Sequence, residues 1–219
     1  MDFELESSAA HKLNELKKKL NADSWNSHME DLLKSWGEKA AGLRFIHSKA
    51  ANDWRTLSNK LTFWGILITT VSSTSALTST SAPSNVIGPL LFAVGGVGMI
   101  GAFIQSIKKF YNAEEKAAEH SAIAKQFGSF YRYLSLQLGM TRADRVPSDE
   151  LAAWALKEFE RLQQDSPPLG EGPIKFFKDN FDKSKQSFPD AAEDSFVINV
   201  FKSSEPSEQP PSQVQACEL

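Results

Sequence analysis

LTFWGILITTVSSTSALTSTSAPSNVIGPLLFAVGGVGMIGAFIQSI, residues 61–107, is a run of 47 residues without Asp, Glu, Lys, Arg or His, in a chain in which 23% of the residues are Asp, Glu, Lys or Arg. At about 1.5 Å per residue, a helix of that length covers roughly 70 Å, which is enough for two crossings of a hydrocarbon core about 30 Å thick and a turn. Pro83 lies among small polar residues near the middle and favours a turn there. The run therefore predicts a transmembrane helical hairpin with spans at about 61–79 and 86–107.

A soluble helical bundle with one buried hairpin is the alternative, and the many Ser and Thr residues of 69–81 favour it. Hydroxyl side chains are tolerated in membrane helices, however, because they bond to backbone carbonyls one turn back. A water-exposed surface rarely runs so far without a charge, and the charged first 20 residues argue against a cleaved signal peptide. We therefore expect an integral, multi-pass membrane protein whose first partner is the lipid bilayer.

Basic residues flank the hairpin on both sides, whereas the turn between the spans has none. Because basic residues concentrate on the cytoplasmic side of membrane helices, both termini are predicted to be cytoplasmic. The single cysteine, Cys217, fits a reducing compartment. A net charge of −3, with no dense basic cluster beyond Lys17–Lys19, argues against nucleic acid as a partner.

Apolar residues at alternating spacings of four and three predict a long helix on each side of the hairpin. The spacing is sustained over about four heptads, which favours coiled-coil packing, and small residues opposite large ones favour two antiparallel helices of one chain over pairing between subunits. The predicted fold class is all-α: a two-span hairpin extended by a long antiparallel cytoplasmic stalk, then a short helical C-terminal segment and a disordered tail. The two series are Met29, Leu33, Trp36, Ala40, Leu43, His47, Ala50, Trp54, Leu57, Leu61 and Phe110, Ala113, Ala117, His120, Ala124, Phe127, Tyr131, Leu134, Leu138.

The same register places His47 and His120 at one level of the stalk, about 20 Å from the membrane surface. One interpretation is a neutral, hydrogen-bonded pair that sets the register, as polar residues do at core positions of coiled coils. Another is a pH-sensitive latch, because protonating both rings creates repulsion between like charges. A metal site is the weakest interpretation, since no Cys or further His lies nearby, and no cofactor is expected.

Within the spans, two sets of residues are candidates for function. The hydroxyls of the first span need partners or water, which implies an oligomer with hydrogen bonds between helices or around a wetted lumen. A lumen lined by hydroxyls would conduct without strong charge selectivity. The candidate pore-facing residues are Thr62, Thr69 and Ser73, and the candidate helix-packing residues of the second span are Gly88, Gly95, Gly98 and Ala102.

The rest of the chain divides into an N-terminal segment (1–24), the two-span helical domain (25–184) and an acidic tail (185–219). The N-terminal segment is predicted to be flexible or an amphipathic helix, either solvated or lying on anionic lipid. Ser148 and its acidic neighbours predict a helix to about Gln164, and a short amphipathic helix at 174–181 is expected to pack on the base of the stalk. The tail is predicted to be disordered, apart from a β-prone run at 195–201.

Enzymatic signals are not found in the sequence. It has no Gly-rich phosphate loop after a strand, no metal-binding Cys/His spacing and no nucleophile elbow. We therefore expect a protein that is not an enzyme.

Residues 32–181 combine features within the hairpin and on both sides of it: Trp36, His47, Ala50 and Trp54, a hydroxyl-rich first span, a glycine-rich second span, His120, the break at Ser166-Pro167-Pro168, and Phe177 and Phe181. This layout resembles the SLATT domain family, a two-transmembrane effector domain associated with nucleotide synthetase and SLOG modules. The resemblance implies an oligomeric membrane effector, proposed to form pores, which is triggered by nucleotide signalling in prokaryotic conflict systems; it implies no catalytic residues. The chain departs from that pattern in carrying an acidic tail instead of a nucleotide-synthesising or nucleotide-sensing domain.

The sequence therefore predicts a homo-oligomeric integral membrane protein that forms an ion-permeable pore and acts as an effector of membrane permeabilisation. The alternative is a non-conducting membrane scaffold that recruits a cytosolic partner through its acidic tail.

Overall fold

The computed structural model describes residues 2–79 and 83–193, with side chains described for 11–75, 83 and 86–193. These residues are mainly helical and contain no strand, which confirms the all-α class. The helices are α1 (Asp2–Ser24), α2 (Ser27–Ser79), α3 (Ser84–Tyr111), α4 (Ala113–Gly139), α5 (Ser148–Gln164) and α6 (Glu171–Asn180), with 3-10 turns at Arg142–Asp144 and Asp190–Ala192. The predicted disordered tail lies outside the described residues from 194 onward.

Helix α2 is 53 residues long, or about 80 Å at the usual helical rise, and α3, α4, α5 and α6 pack against it. Its C-terminal part runs antiparallel to α3, and its N-terminal part runs antiparallel to α4. Two contacts show the register: Ile68 meets Gly101 on α3, and His47 meets His120 on α4.

Asn112 separates α3 from α4 in a left-handed conformation (φ 45°, ψ 40°). Asparagine tolerates this conformation better than most residues, and its side-chain amide donates to Glu115 Oε2 at 3.0 Å. The series of apolar residues from Phe110 to Leu138 therefore does not lie on one unbroken helix. Because the break changes the direction of side chains before it, Phe110 is 83% exposed, whereas Ala113 directly after it is buried.

The main core lies where α2, α4 and α5 meet, away from the uncharged run. Helix α5 begins at Ser148, as predicted, but the Ser148 hydroxyl does not cap its own helix. It donates instead to the carbonyl of Ser24 at 2.7 Å and ties α5 to the end of α1. The buried members of this core are Trp25, Leu33, Ala40, Leu43, Ile123, Phe127, Phe130, Leu134, Leu151, Ala155 and Leu162.

A second core forms where α6 and the segment after it pack beside the middle of α2. Phe177 of α6 is buried against Ile46, and Phe45 makes an edge contact with Phe181 at 4.8 Å between ring centroids. Phe188 and Ala192 are also buried there. The predicted boundary at residue 185 is therefore wrong, because these apolar side chains bring the chain back onto α2, and α6 packs midway along α2 instead of at its base.

Helix α1 projects from the end of α2 that lies farthest from the uncharged run. Its last turn is attached through Asn21, whose amide donates to the Arg145 carbonyl, and through an ion pair between Lys18 and Asp144. Leu13, Leu16 and Leu20 are more than half exposed. The predicted N-terminal segment is therefore helical, with its leucines unpacked.

In the described part of the chain, only one helical stretch contains a window long and apolar enough to cross a membrane. That stretch is Val86–Gly139, which takes in most of α3 and all of α4. Its most apolar window has a mean hydropathy of 2.1 and is almost entirely unburied. Low burial is unlike the core helix of a soluble protein, whose apolar face would be covered.

Candidate functional site

The buried histidine pair lies between α2 and α4. The Nδ1 atoms of His47 and His120 are 2.9 Å apart, and the two side chains are 1% and 3% exposed. The His47 ring also stacks on Phe127, with ring centroids 5.8 Å apart. A hydrogen bond between two Nδ1 atoms requires one ring to donate and the other to accept, so at least one ring is neutral.

Burial determines the charge state of this pair. Desolvation, with a smaller effect from His120, lowers the pKa of His47 to about 4. Desolvation also lowers the pKa of His120; Glu119 opposes that shift and Lys116 adds to it. Both rings are therefore neutral at pH 7, which is the state that the register interpretation needs.

Two cavities flank the pair, and the loop between α5 and α6 walls both of them through Pro167 and Leu169. The cavity on the His120 side has a volume of about 420 Å³ and the one on the His47 side about 370 Å³. In the described part of the chain, no group of three or more His, Cys, Asp or Glu side chains is placed to hold a metal ion. The charged residues that line these cavities are Asp53, Lys116, Glu119 and Asp190.

The candidate pore-facing hydroxyls are bonded within their own helix. Thr62 donates to the Ser58 carbonyl at 2.8 Å, Thr69 to that of Gly65 at 2.7 Å, and Ser73 to that of Thr69 at 2.8 Å. The expectation that these hydroxyls require partners from other helices or from water is therefore wrong for these three, since a carbonyl one turn back satisfies each donor. Among the described side chains of this helix, Ser72 has a buried hydroxyl without a partner.

The candidate packing residues of α3 make no close contact within the chain. A Cβ atom built at Gly88, Gly95 or Gly98 would have no neighbour within 4 Å, and Ala102 is exposed. Contact between α2 and α3 instead uses Gly65 and Gly101, neither of which the sequence singled out. The candidate residues therefore do not pack within one chain, because helical spacing alone does not indicate which of several glycine faces meets the neighbouring helix, and their role in packing stays a prediction.

We expect Gly101→Leu to separate α2 from α3. A Cβ at Gly101 would lie 3.1 Å from Ile68 Cγ2, and the side chain of Ile68 is β-branched and cannot easily turn away. The expected loss of stability is about 1 to 3 kcal/mol, the usual cost of overpacking. Thermal unfolding in detergent, followed by circular dichroism, measures it. Gly95→Leu is the matched control and should leave the melting temperature of the monomer unchanged; an equal loss in both variants would contradict this assignment.

Large apolar side chains of α2 and α3 point away from the molecule in the described parts of the uncharged run. Phe92 is 87% exposed, Met99 73% and Phe103 66% on α3, and Phe63 and Ile66 on α2 are each about 60% exposed. We call this surface, formed by 61–75 and 86–107, the apolar belt. Exposed apolar patches of this extent are typical of interaction with lipid or with another protein.

An ion cluster at the opposite end of α2 was not predicted. Glu30 accepts from Arg142 at 2.7 Å and from Arg145 at 2.5 Å, and these hydrogen bonds lower its pKa to about 2. The Arg145 guanidinium also lies 4.8 Å from the ring centroid of Trp25. Two arginines three residues apart, just after a long helix, were the signal in the sequence that could have indicated this cluster. Their acidic partner could not be identified from spacing, because it lies more than 110 residues earlier in the chain.

Comparisons of the chain with protein-family models, with curated proteins and with solved structures give no match. The interpretation of its function therefore depends on the geometry described above.

Proposed function

We propose that this chain is an integral membrane protein that crosses the bilayer twice, through residues 61–79 of α2 and 86–107 of α3. The apolar belt carries the proposal. A monomer in water would expose Phe92, Met99 and Phe103 to solvent at a high cost in free energy, whereas the hydrocarbon core solvates them. The absence of any charged residue between Lys60 and Lys108 supports the same reading.

In this arrangement the antiparallel part of α2 and α4 forms a cytoplasmic stalk, and both termini are cytoplasmic. The distance from Lys60 to Trp25, which lies just before α2, is about 50 Å at the helical rise. The leucines of α1 lie beyond Trp25, so they are too far from this bilayer to bind its surface. A solvated α1 is therefore favoured over one lying on anionic lipid.

We further propose that the protein assembles into a homo-oligomer through the glycine face of α3. Gly88, Gly95 and Gly98 leave the backbone uncovered within one chain, and small residues allow close approach between helices in a membrane. Cross-linking in detergent provides the check, because Gly95→Leu should reduce the oligomer while leaving the monomer folded.

The function that we propose for this oligomer is an ion-permeable pore that permeabilises the membrane. Thr62, Thr69 and Ser73 fall within about 40° of one another around α2, at the edge of the α3 contact, where a Cβ at Gly101 would lie 3.7 Å from Thr69 Oγ1. This position lets one polar strip from each subunit face a common lumen while the apolar belt faces lipid.

Thr69→Lys is expected to reduce the current through such a pore, because it places a ring of positive charges in the lumen. Currents across planar bilayers containing the purified protein give the measurement. Thr69→Ser, which keeps the hydroxyl, should conduct as the wild type does. Unchanged currents in Thr69→Lys, with insertion and oligomer size verified, would contradict the lumen assignment.

A non-conducting scaffold is the second candidate, and the internal bonding of the hydroxyls favours it, since these side chains do not require a wetted lumen. The scaffold predicts that the tail recruits a cytosolic partner. Its test is deletion of residues 194–219. The deletion must start after Glu193, because Phe188 and Ala192 belong to the second core. A bound partner that is lost with the tail, from a protein that carries no current, would support the scaffold, whereas measurable currents would contradict it.

A further inference from the structure

We call Thr62, Thr69 and Ser73 the polar strip of α2. The direction of their hydrogen bonds determines which ions this strip can bind. Thr62, Thr69 and Ser73 each pair with a backbone carbonyl at 2.7 to 2.8 Å. A carbonyl oxygen can only accept, so the hydroxyl must donate its single hydrogen in every case. What remains on each hydroxyl oxygen is acceptor capacity alone.

Anions and cations need opposite groups from a lumen. A chloride ion that leaves water requires hydrogen-bond donors, whereas a potassium ion requires oxygen lone pairs in place of its hydration shell. Thr69 and Ser73 are exposed, and their hydrogens are already used within the helix. The strip therefore offers ligands to cations and withholds donors from anions.

We propose that the pore conducts small monovalent cations such as potassium in preference to chloride, through the lone pairs of Thr62, Thr69 and Ser73. This inference rests on the proposed pore function. The charges at the cytoplasmic mouth act in the opposite direction, since Lys60, Lys108 and Lys109 flank the spans there. At about 1 M salt the Debye length falls to about 3 Å, so their influence is screened while the ligands inside the lumen continue to act.

The test is the reversal potential of bilayer currents in a potassium chloride gradient, with both sides close to 1 M. The wild type is expected to be several-fold more permeable to potassium than to chloride. The double variant Thr69→Val/Ser73→Ala removes two sets of lone pairs and should bring the permeability ratio towards one. Thr74→Val is the matched control: Thr74 makes the same bond, to the Thr70 carbonyl at 2.9 Å, but lies at least about 100° around the helix from Thr69 and Ser73.

Three outcomes would go against the proposal in distinguishable ways. A wild-type ratio at or below one in 1 M salt overturns the cation preference and leaves the pore. An equal fall in Thr74→Val overturns the assignment to the strip. A bilayer that stays silent, with verified insertion and oligomerisation, overturns the pore itself and the cation preference with it.

Discussion

Arg145→Met is expected to destabilise the stalk end of α2 by about 3 kcal/mol, because a nearly buried guanidinium loses its hydrogen bonds to a carboxylate and to two carbonyls. The Arg145 side chain is only 9% exposed. Besides its ion pair with Glu30, it donates to the carbonyls of Met140 and Leu138 at 3.0 Å each, which lie at the end of α4. Methionine keeps much of the apolar stem, and Arg142 still pairs with Glu30, so the loss reports on the missing hydrogen-bond donors of Arg145. Chemical denaturation in detergent, followed by tryptophan fluorescence, measures the change.

Arg142→Met is the matched control for this prediction. Arg142 bonds to the same carboxylate, but its side chain is 44% exposed, and water replaces the contacts of an exposed ion pair at little cost. We expect a much smaller loss than in Arg145→Met. Equal losses would show that the stability comes from the shared charge of the cluster and not from the position of Arg145 against the end of α4.

Lowering the pH from 7.5 to 5.5 is expected to destabilise the protein through the histidine pair. The folded pKa of His47 is about 4, below the ordinary value near 6.5 that applies after unfolding. Between these two values the unfolded chain binds more protons than the folded one, so the free energy of unfolding falls as the pH falls. His47 alone contributes a loss of about 1 to 2 kcal/mol by pH 5.5, which thermal unfolding across this pH range would detect.

The control for the pH effect removes both rings. The double variant His47→Gln/His120→Gln should lose most of the pH dependence between 7.5 and 5.5, whereas His11→Gln, at an exposed position on α1, should keep it. The pKa of Glu30 is lowered to about 2, so its contribution is lost only below about pH 4.5 and falls outside this window. A pH dependence that survives in the double variant would place the titrating group elsewhere.

The same titration separates the two interpretations of the pair. A single added proton leaves one ring able to donate to the other, whereas a second proton makes both Nδ1 atoms donors and ends the hydrogen bond. If bilayer currents change over this pH range in the wild type but not in the double variant, the pair acts as a latch. If stability changes and currents do not, the pair serves the register.

Prediction from sequence worked where periodicity carried the information. Burial of the predicted positions Leu33, Ala40 and Leu43 follows from four-three spacing, because such spacing places side chains on one face of a helix. The contact between His47 and His120 was predicted because the two residues lie at nearly equal distances along the chain from Lys60 and Lys108, which bound the uncharged run. The break at Asn112 left this pairing intact, because α3 and α4 both continue along α2 on either side of it.

Prediction failed where the outcome depended on which surface meets a neighbour. Spacing indicated a glycine face on α3, but Gly101 and Gly65 make the contact because they face Ile68 and Gln105 across the helix pair. Polar composition after residue 185 indicated disorder, yet Phe188 returns to α2 because Ile46 and Phe177 leave an apolar surface for it.

By itself, the sequence determined that the chain is helical, that one long run of it is uncharged, and that two histidines share one level of the helical pair, because composition and period act over a few turns of one helix. Tertiary structure alone decided which glycines touch and the position of Arg145 between Glu30 and the end of α4. Both outcomes depend on contacts between residues far apart in the chain. Spacing along one helix carries no information about either.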